Sequence, residues 1–341
     1  MNRRLANCWT RRVFLGGFGA MGAVGLLSGL AAPAAAEPPP ETSTIRLAKV
    51  PTICIAPQYV AEELLRLEGF SDVQYVRKET GAEAYRALAA GEIHFLTQAV
   101  GATVLLQLDA GDPVVVVAGI HVGCFELFAT DRVRTIRDLK GRTVSLGELR
   151  SGRHAFLVTV LTHVGLDPGR DVNLLVHPPR EAMRLFAEGK IDAFVGFPPE
   201  PQELRAKQIG HVLVNSTLDR PWSQYFCCLL VASREFVVKY PVATKRALRA
   251  ILKAADFCAL EPEQAARLLV DKDYIKSYEY ALQTVQELPY RTWREYDPED
   301  AIRFYALRLH EAGMIKTNPQ KLIAQGTDWR FLTELKKELK S

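Results

Sequence analysis

The chain contains no Gly-x-Ser-x-Gly elbow, phosphate loop, His-Glu-x-x-His pair or dinucleotide fingerprint after a strand. The common hydrolase, nucleotide, zinc-protease and NAD chemistries therefore have no foothold in it. Its seven histidines are scattered, with no metal-ligand spacing between any pair. No basic block interleaved with aromatic residues occurs, which removes the electrostatic footprint of nucleic-acid binding. Cysteine is scarce: beyond Cys8 there are Cys54, Cys124, Cys227, Cys228 and Cys258, an odd number with two adjacent. That spacing fits neither a zinc site nor a disulfide framework, and reads as small apolar residues in strands and beneath helices. These absences predict a protein that is not an enzyme, with no metal, no cofactor and no nucleic-acid partner.

Long apolar runs are missing too, except one at the N-terminus. There Thr10-Arg11-Arg12-Val13-Phe14-Leu15 precedes a glycine-rich apolar stretch to Leu30 and then Ala34-Ala35-Ala36. Paired arginines, a hydrophobic core diluted by glycine and a small-residue site predict a twin-arginine export signal cleaved near Ala36, and hence a periplasmic protein. No cysteine stands at the cleavage point, which excludes a lipid anchor there. Residues 1–36 carry Arg3, Arg4, Arg11 and Arg12 and no acid, so their removal leaves 39 basic against 39 acidic residues. The remaining chain is neutral and long enough for two lobes with separate cores.

Residues 37–43, with three consecutive prolines, read as a linker. From Thr44, short runs rich in Val, Ile, Leu and Phe alternate with segments of helical period, the pattern of an α/β protein with mostly parallel sheets. Strands are expected at 44–50, 72–77, 93–97, 113–119, 124–129, 142–146, 172–176, 192–196, 211–214 and 225–232. Helices are expected at 58–68, 82–90, 102–110, 153–163, 180–188 and 200–208. After Ser233 the period is helical throughout, at 234–240, 242–260, 262–270, 279–287, 298–312 and 327–340. Such a tail must pack on something already built, and the first lobe is the expected host.

Open α/β sheets bind ligands at the carboxyl ends of their strands. Four such ends carry polar or flexible residues: Thr52 to Ala56 after the first strand, Thr97-Gln98 at the third, Ser151 to His154 opening the helix after 142–146, and Pro199-Glu200 after 192–196. The helix start at Ser151, with Arg153 and His154, suits an anionic or strongly polar group. It also suits an ordinary N-cap.

Asp138-Leu139-Lys140-Gly141-Arg142-Thr143-Val144, Gly165-Leu166-Asp167-Pro168, Gly189-Lys190-Ile191-Asp192-Ala193 before Pro199-Glu200-Pro201, and Ala232-Ser233-Arg234-Glu235-Phe236 occur in this order. Together they resemble the periplasmic substrate-binding proteins of nitrate, taurine and alkanesulfonate ABC importers. The resemblance covers nearly all of the chain after the signal. It implies the two-lobed type II periplasmic-binding-protein fold, each lobe a mostly parallel sheet flanked by helices, with the helical C-terminal segment on lobe 1. Lobe 1 is expected from 44–122 plus 230–341 and lobe 2 from 123–229, with crossings at 119–128 and 226–231. The implied partners are a small-molecule ligand and an inner-membrane permease with its ATPase, served by a monomer.

Carried over residue by residue, the resemblance places Thr52, Cys54, Ala56, Ser151, Arg153, His154, Pro199 and Glu200 at the ligand. Gln98 at the third strand end, His121, Gly123 and Cys124 at the first crossing, and Trp222, Gln224 and Tyr225 at the second are added by position, Trp222 and Tyr225 suiting the core equally. The ligand class stays open between sulfonate, carboxylate and heteroaromatic ring. Two other functions share the fold: a thiamine-pyrimidine-synthase-like enzyme, which Lys49 and Cys227-Cys228 bring to mind, and a ligand-sensing subunit of a receptor kinase.

Overall fold

The computed structural model describes residues 37–50 and 52–340, with the side chains of Gln98 and Ala99 left out. The twin-arginine segment and the cleavage site at Ala36 lie outside the described residues. Ten strands form two five-stranded sheets. The first holds β1 (Thr44–Lys49), β2 (Asp72–Arg77), β3 (Phe95–Val100), β4 (Val114–Val122) and β10 (Phe226–Ser233), in the order β2-β1-β3-β10-β4. The second holds β5 (Glu126–Ala129), β6 (Thr143–Leu146), β7 (Asn173–Val176), β8 (Ala193–Gly196) and β9 (His211–Asn215), in the order β7-β6-β8-β5-β9.

The two orders have the same form. In each sheet, one strand in the fourth position runs against its neighbours: β10 is antiparallel to β3 and β4, and β5 is antiparallel to β8 and β9. The other strands are parallel, as expected from the alternation of apolar runs and helical segments. Each reversed strand begins where its parallel neighbours end, so strand carboxyl ends and both chain crossings gather at one edge of each sheet. The first crossing is only residues 123–125, between β4 and β5. The second is residues 216–225, between β9 and β10. The expected crossing at 226–231 is thus corrected: those residues already pair with β3 and β4, and the first sheet takes the chain back at Phe226, not at residue 230.

β4 and β10 are buried along their whole length, so their sequences, Val-Val-Val-Val-Ala-Gly-Ile-His-Val and Phe-Cys-Cys-Leu-Leu-Val-Ala-Ser, run apolar without alternation. Their ladder shifts register at three places, and Gly119 gives room to the Phe226 ring, which a Cβ there would meet at 2.5 Å.

The helices around the sheets are α1 (Ala56–Val60), α2 (Glu62–Leu67), α3 (Gly81–Ala89), α4 (Gly101–Ala110), α5 (Gly152–His163), α6 (Pro179–Ala187) and α7 (Glu200–Ala206). The tail supplies α8 (Arg234–Lys239), α9 (Pro241–Leu260), α10 (Pro262–Asp271), α11 (Tyr278–Glu287), α12 (Pro298–Glu311), α13 (Pro319–Gly326) and α14 (Arg330–Glu338). The expected helix 327–340 starts later, because Thr327 and Asp328 form a bridge to Val116 beside β4. The segment before it folds into α13, whose start is written in Asn318-Pro319: the Asn318 side chain accepts from the Gln320 and Lys321 N–H groups. None of the described helices is long and apolar enough to cross a membrane.

The tail packs on the first sheet's helices, α9 against α1 and α2 and α12 against α4, but it also reaches the second sheet's layer, α12 touching α5 and α11 touching α7. There Arg205 of α7 lies between Glu126 of β5 and Glu287 of α11, 2.6 Å from the latter, and Gln202 donates to Glu287 at 2.9 Å.

The two crossings are joined to each other. The Phe125 N–H donates to Ser216 Oγ at 2.9 Å, and the Ser216 hydroxyl and N–H both donate to the Phe125 carbonyl. Gly123 sits at φ +78, and a Cβ there would lie 2.0 Å from Thr217 Oγ1 and 3.0 Å from Thr217 Cα. Gly123→Ala is therefore expected to cost about 2 kcal/mol or more, from positive φ plus overpacking, measured as a lower denaturation midpoint with an unchanged slope.

At the opposite edge of the first sheet, His94 Nδ1 accepts from the Arg46 N–H at 3.2 Å and the ring stacks on Phe236 at 4.2 Å. Burial, with Arg46 nearby, holds its pKa down at about 4. Because the unfolded value is about 6.5, the unfolded chain binds the proton first; this stabilisation is complete above that pH and is lost as pH falls towards 4. Thermal melts across that interval should show a falling midpoint, and His94→Gln should flatten the fall.

Candidate functional site

The segment after β1 is pinned under the first sheet's carboxyl edge. Tyr59 donates to the Val50 carbonyl at 2.9 Å and accepts from the Val50 N–H. Gln58 donates to the Ala48 carbonyl at 2.6 Å and accepts from the Thr97 hydroxyl at 3.0 Å. Tyr290, from the segment after α11, donates to the Cys54 carbonyl at 3.1 Å. Thr52, Cys54 and Ala56 are consequently all buried. Gln98 stands in β3 at the same edge.

The second sheet presents the start of α5. Ser151 is its N-cap, accepting from the His154 N–H at 3.4 Å, and its hydroxyl donates to the Glu148 carbonyl at 2.5 Å. A Cβ on Gly152 would meet Val100 at 3.0 Å and Phe125 at 3.2 Å, so this helix start is seated against the end of β3 and the first crossing. Strand ends of both sheets therefore face each other across a closed seam.

Arg153 forms a two-pronged pair with Glu200, at 2.6 and 2.8 Å, and also donates to the Val195 carbonyl at 2.6 Å. Glu200 Oε2 further accepts from the Phe197 N–H at 3.1 Å. Pro199 immediately precedes α7 and helps place Glu200. These two side chains, expected at a ligand, are engaged with each other across the carboxyl ends of β6 and β8. His154 Nδ1 accepts from the Arg150 N–H at 3.0 Å, and burial holds its pKa down. It lines a groove with Val158, Thr162 and Met314, away from Cys54.

Of the aromatic candidates in the second crossing, Trp222 is a core residue, its indole donating to Thr159 Oγ1 at 2.8 Å with the ring edge-on to Phe156. Tyr225 stacks on Phe304 of α12 at 4.1 Å, and Gln224 is exposed.

Four side chains converge at the first sheet's edge: Cys54 after β1, His121 at the end of β4, Cys124 in the first crossing and Cys228 near the start of β10. Their ligating atoms all lie within 4.8 Å of one another, and all four residues are buried. The Cys124 and Cys228 sulfurs are 3.6 Å apart, those of Cys54 and Cys228 4.0 Å, and Cys124 Sγ is 3.9 Å from His121 Nε2. Linear spacing gives no sign of this group, which the meeting of both crossings with the first loop creates. Cys124 holds φ +130, an uncommon value for a residue with a side chain. Burial pushes the Cys54 thiol up to about 11. Burial alone would depress His121, but the Cys228 and Cys54 sulfurs outweigh it and raise it to about 10. All five described cysteines are free and buried, as expected of small core residues.

Sequence reasoning named Cys54 at the first strand end, placed His121, Gly123 and Cys124 together at the first crossing, and read Cys228 only as part of a doublet. The usable signal was topological: in a two-lobed chain both crossings lie side by side, so His121-Val122-Gly123-Cys124 and Cys227-Cys228 must be neighbours. Tyr290, Val100 and Phe125, which shape the seam, carry no chemical signature in sequence.

Residues 38–270 match the NMT1-like family. The chain belongs to this family. A curated relative is the bicarbonate-binding protein CmpA of Synechococcus elongatus, 26% identical over 125 residues, which are 36% of this chain and 27% of the relative. The match thus spans about a quarter of that relative's length. Among solved structures, the periplasmic nitrate-binding protein NrtA from Synechocystis superposes with a TM-score of 0.75 at 15% identity, covering 88% of this chain and 90% of NrtA. The alkanesulfonate-binding protein SsuA from Xanthomonas axonopodis pv. citri, bound to MOPS, gives 0.69 at 18% identity, covering 85% and 99%. The desulfurization enzyme DSZB gives 0.62 at 15% identity over 87% of this chain and 99% of the enzyme. The NMT1-like chain therefore has the two-lobed fold of the periplasmic binding proteins, and that fold also carries an enzyme.

The Arg153–Glu200 pair in this NMT1-like chain is about one-seventh exposed at each side chain. Removing either partner leaves a poorly solvated charge, so Arg153→Ala and Glu200→Ala are each expected to cost about 2 to 4 kcal/mol. The double variant Arg153→Ala with Glu200→Ala should cost less than the sum of the two in a double-mutant cycle measured by urea unfolding.

Proposed function

We propose that this NMT1-like protein is a periplasmic solute receptor that closes on a small polar or anionic organic molecule and delivers it to the permease and ATPase of an ABC importer. The observation that carries the reading is the architecture of the seam: two sheets of one topology, each with one reversed strand entered directly from the other sheet, joined by two short adjacent crossings with strand carboxyl ends facing one another. Such a pair of bodies has one soft degree of freedom, opening about the crossings. Ligand held between the bodies favours the closed arrangement, which a membrane partner can tell from the open one. CmpA, NrtA and SsuA, which bind bicarbonate, nitrate and alkanesulfonate, support the same role.

In this reading the twin-arginine signal is removed near Ala36 and the exported chain acts as a monomer. One lobe is 44–122 with 226–341 and the other 123–225. The ligand meets Thr52, Gln98, Ser151 and the rim of the first crossing around His121, Gly123 and Cys124, with Tyr225 at its margin. Ile53, Phe125 and Phe197 at the seam favour a ligand with carbon, a sulfonate or carboxylate, over a bare inorganic anion. Entry requires the start of α5 to leave Val100. Lys49, the lysine considered for a pyridoxal Schiff base, lies over the Tyr274 ring with its ammonium 4.8 Å from the centroid.

Thermal melting of residues 37–341, refolded from denaturant and screened against sulfonates, carboxylates, bicarbonate, nitrate and pyrimidines, tests the proposal. A ligand bound by the native state alone should stabilise it by about 2.7 kcal/mol at a hundredfold excess over its dissociation constant. Ser151→Ala should lower that ligand's affinity while removing no more than about 1 kcal/mol of stability as a lost cap. A chain whose midpoint moves for no solute, and whose small-angle scattering is the same with and without each, is not such a receptor.

A further inference from the structure

We propose that Cys54, His121, Cys124 and Cys228 form a resident metal site that takes one zinc-class cation in a closed Cys3His set. The inference goes beyond solute capture and stands whether or not the seam binds an organic ligand. Tetrahedral zinc with Zn–S near 2.3 Å sets its sulfur ligands about 3.8 Å apart. The sulfur pairs stand at 3.6 and 4.0 Å, and Cys124 Sγ is 3.9 Å from the imidazole nitrogen Nε2. Three of the six edges of a coordination tetrahedron thus already have about its length, and all four donors lie within 4.8 Å of one another.

The imidazole is oriented for the task. His121 Nδ1 lies 3.0 Å from the Val122 carbonyl oxygen, which can only accept, so Nδ1 carries a proton and Nε2 is the nitrogen that offers a lone pair once a metal displaces its own proton. The ring is held edge-on to Tyr290 at 5.0 Å, and the Tyr290 hydroxyl fixes the Cys54 backbone. The Thr52 hydroxyl stands 3.5 Å from Cys54 Sγ, placed to donate to a thiolate. First ligands and their supports thus come from the loop after β1, the end of β4, the first crossing, the start of β10 and the tail.

The donor set chooses the metal. Three thiolates and an imidazole, with no carboxylate in the group, disfavour magnesium, calcium and manganese and suit a borderline or soft ion. Four protein ligands, none more than 4% exposed, fill a tetrahedron and leave no position for water, which is the pattern of a structural site and not of a catalytic one. A Cys124–Cys228 disulfide is the competing chemistry. It would use two of the three thiols and leave the aimed Nε2 and the Cys54 thiol without a purpose.

The test uses the exported chain, residues 37–341, purified under reducing conditions and titrated with zinc and, as a spectroscopic probe, with cobalt(II). One ion per chain is expected, with the thiolate-to-cobalt charge-transfer band and intense visible bands of a tetrahedral site, displaced by one equivalent of zinc. Cys124→Ser and Cys228→Ser should each weaken zinc binding by roughly a hundredfold or more. Cys258→Ser, elsewhere in the core, should leave the cobalt spectrum unchanged. Circular dichroism identifies variants that fail to fold, and for those the wild-type stoichiometry and spectrum remain the deciding measurement. A folded, reduced wild-type chain that binds neither ion, or one whose cobalt spectrum lacks thiolate charge transfer, overturns the proposal. So does mass mapping of protein isolated from the periplasm that finds a Cys124–Cys228 disulfide and no metal. Failure of the solute screen leaves these outcomes untouched.

Discussion

The entry of one reversed strand into each of two otherwise parallel sheets, straight from the other body, is the constraint on which the rest of this structure depends. A parallel strand needs a long return path, whereas a reversed strand can enter directly from the far body. Because β5 and β10 both do so, the chain passes between the sheets twice at the same edge, and that edge is where the parallel strands also end. Everything chemically suggestive in the molecule, the pinned loop after β1, the start of α5, the Arg153–Glu200 pair and the buried Cys–His group, is collected there by topology.

Most of the fold was readable because its physical causes are local. Uninterrupted apolar runs such as 114–117 in β4 mark strands buried on both faces, and helix–glycine–strand junctions such as Ala90-Gly91 and Glu188-Gly189 mark where helices must stop. Errors arose where a distant partner overrides local preference. Thr327-Asp328 has helical company on its C-terminal side but is held extended by Val116. Residues 226–231 gave no local sign of which sheet would take them.

The site was legible in a different measure. Strand ends could be named, since open α/β sheets place ligands there, but what each side chain does was decided by partners remote in sequence. Glu200 is written as a free carboxylate at a strand end and is found bound to Arg153. Trp222 reads equally well as a cleft or a core aromatic and is found in the core, with its N–H satisfied by Thr159 of α5. Cys54 and Cys228 are far apart along the chain, and no periodicity connects them; only the adjacency of β1, β3, β10 and β4 does.

The seating of the α5 start on Val100 and Phe125 has a thermodynamic consequence. Opening the seam exposes this apolar contact to water, so separation of the lobes carries a positive heat-capacity change in the manner of a small unfolding reaction. The apolar contribution to closure then weakens on cooling, while the bonds of Arg205 and Gln202 to Glu287 do not share that dependence. In the proposed opening of the lobes, two forces of different temperature dependence therefore set the balance between the two forms.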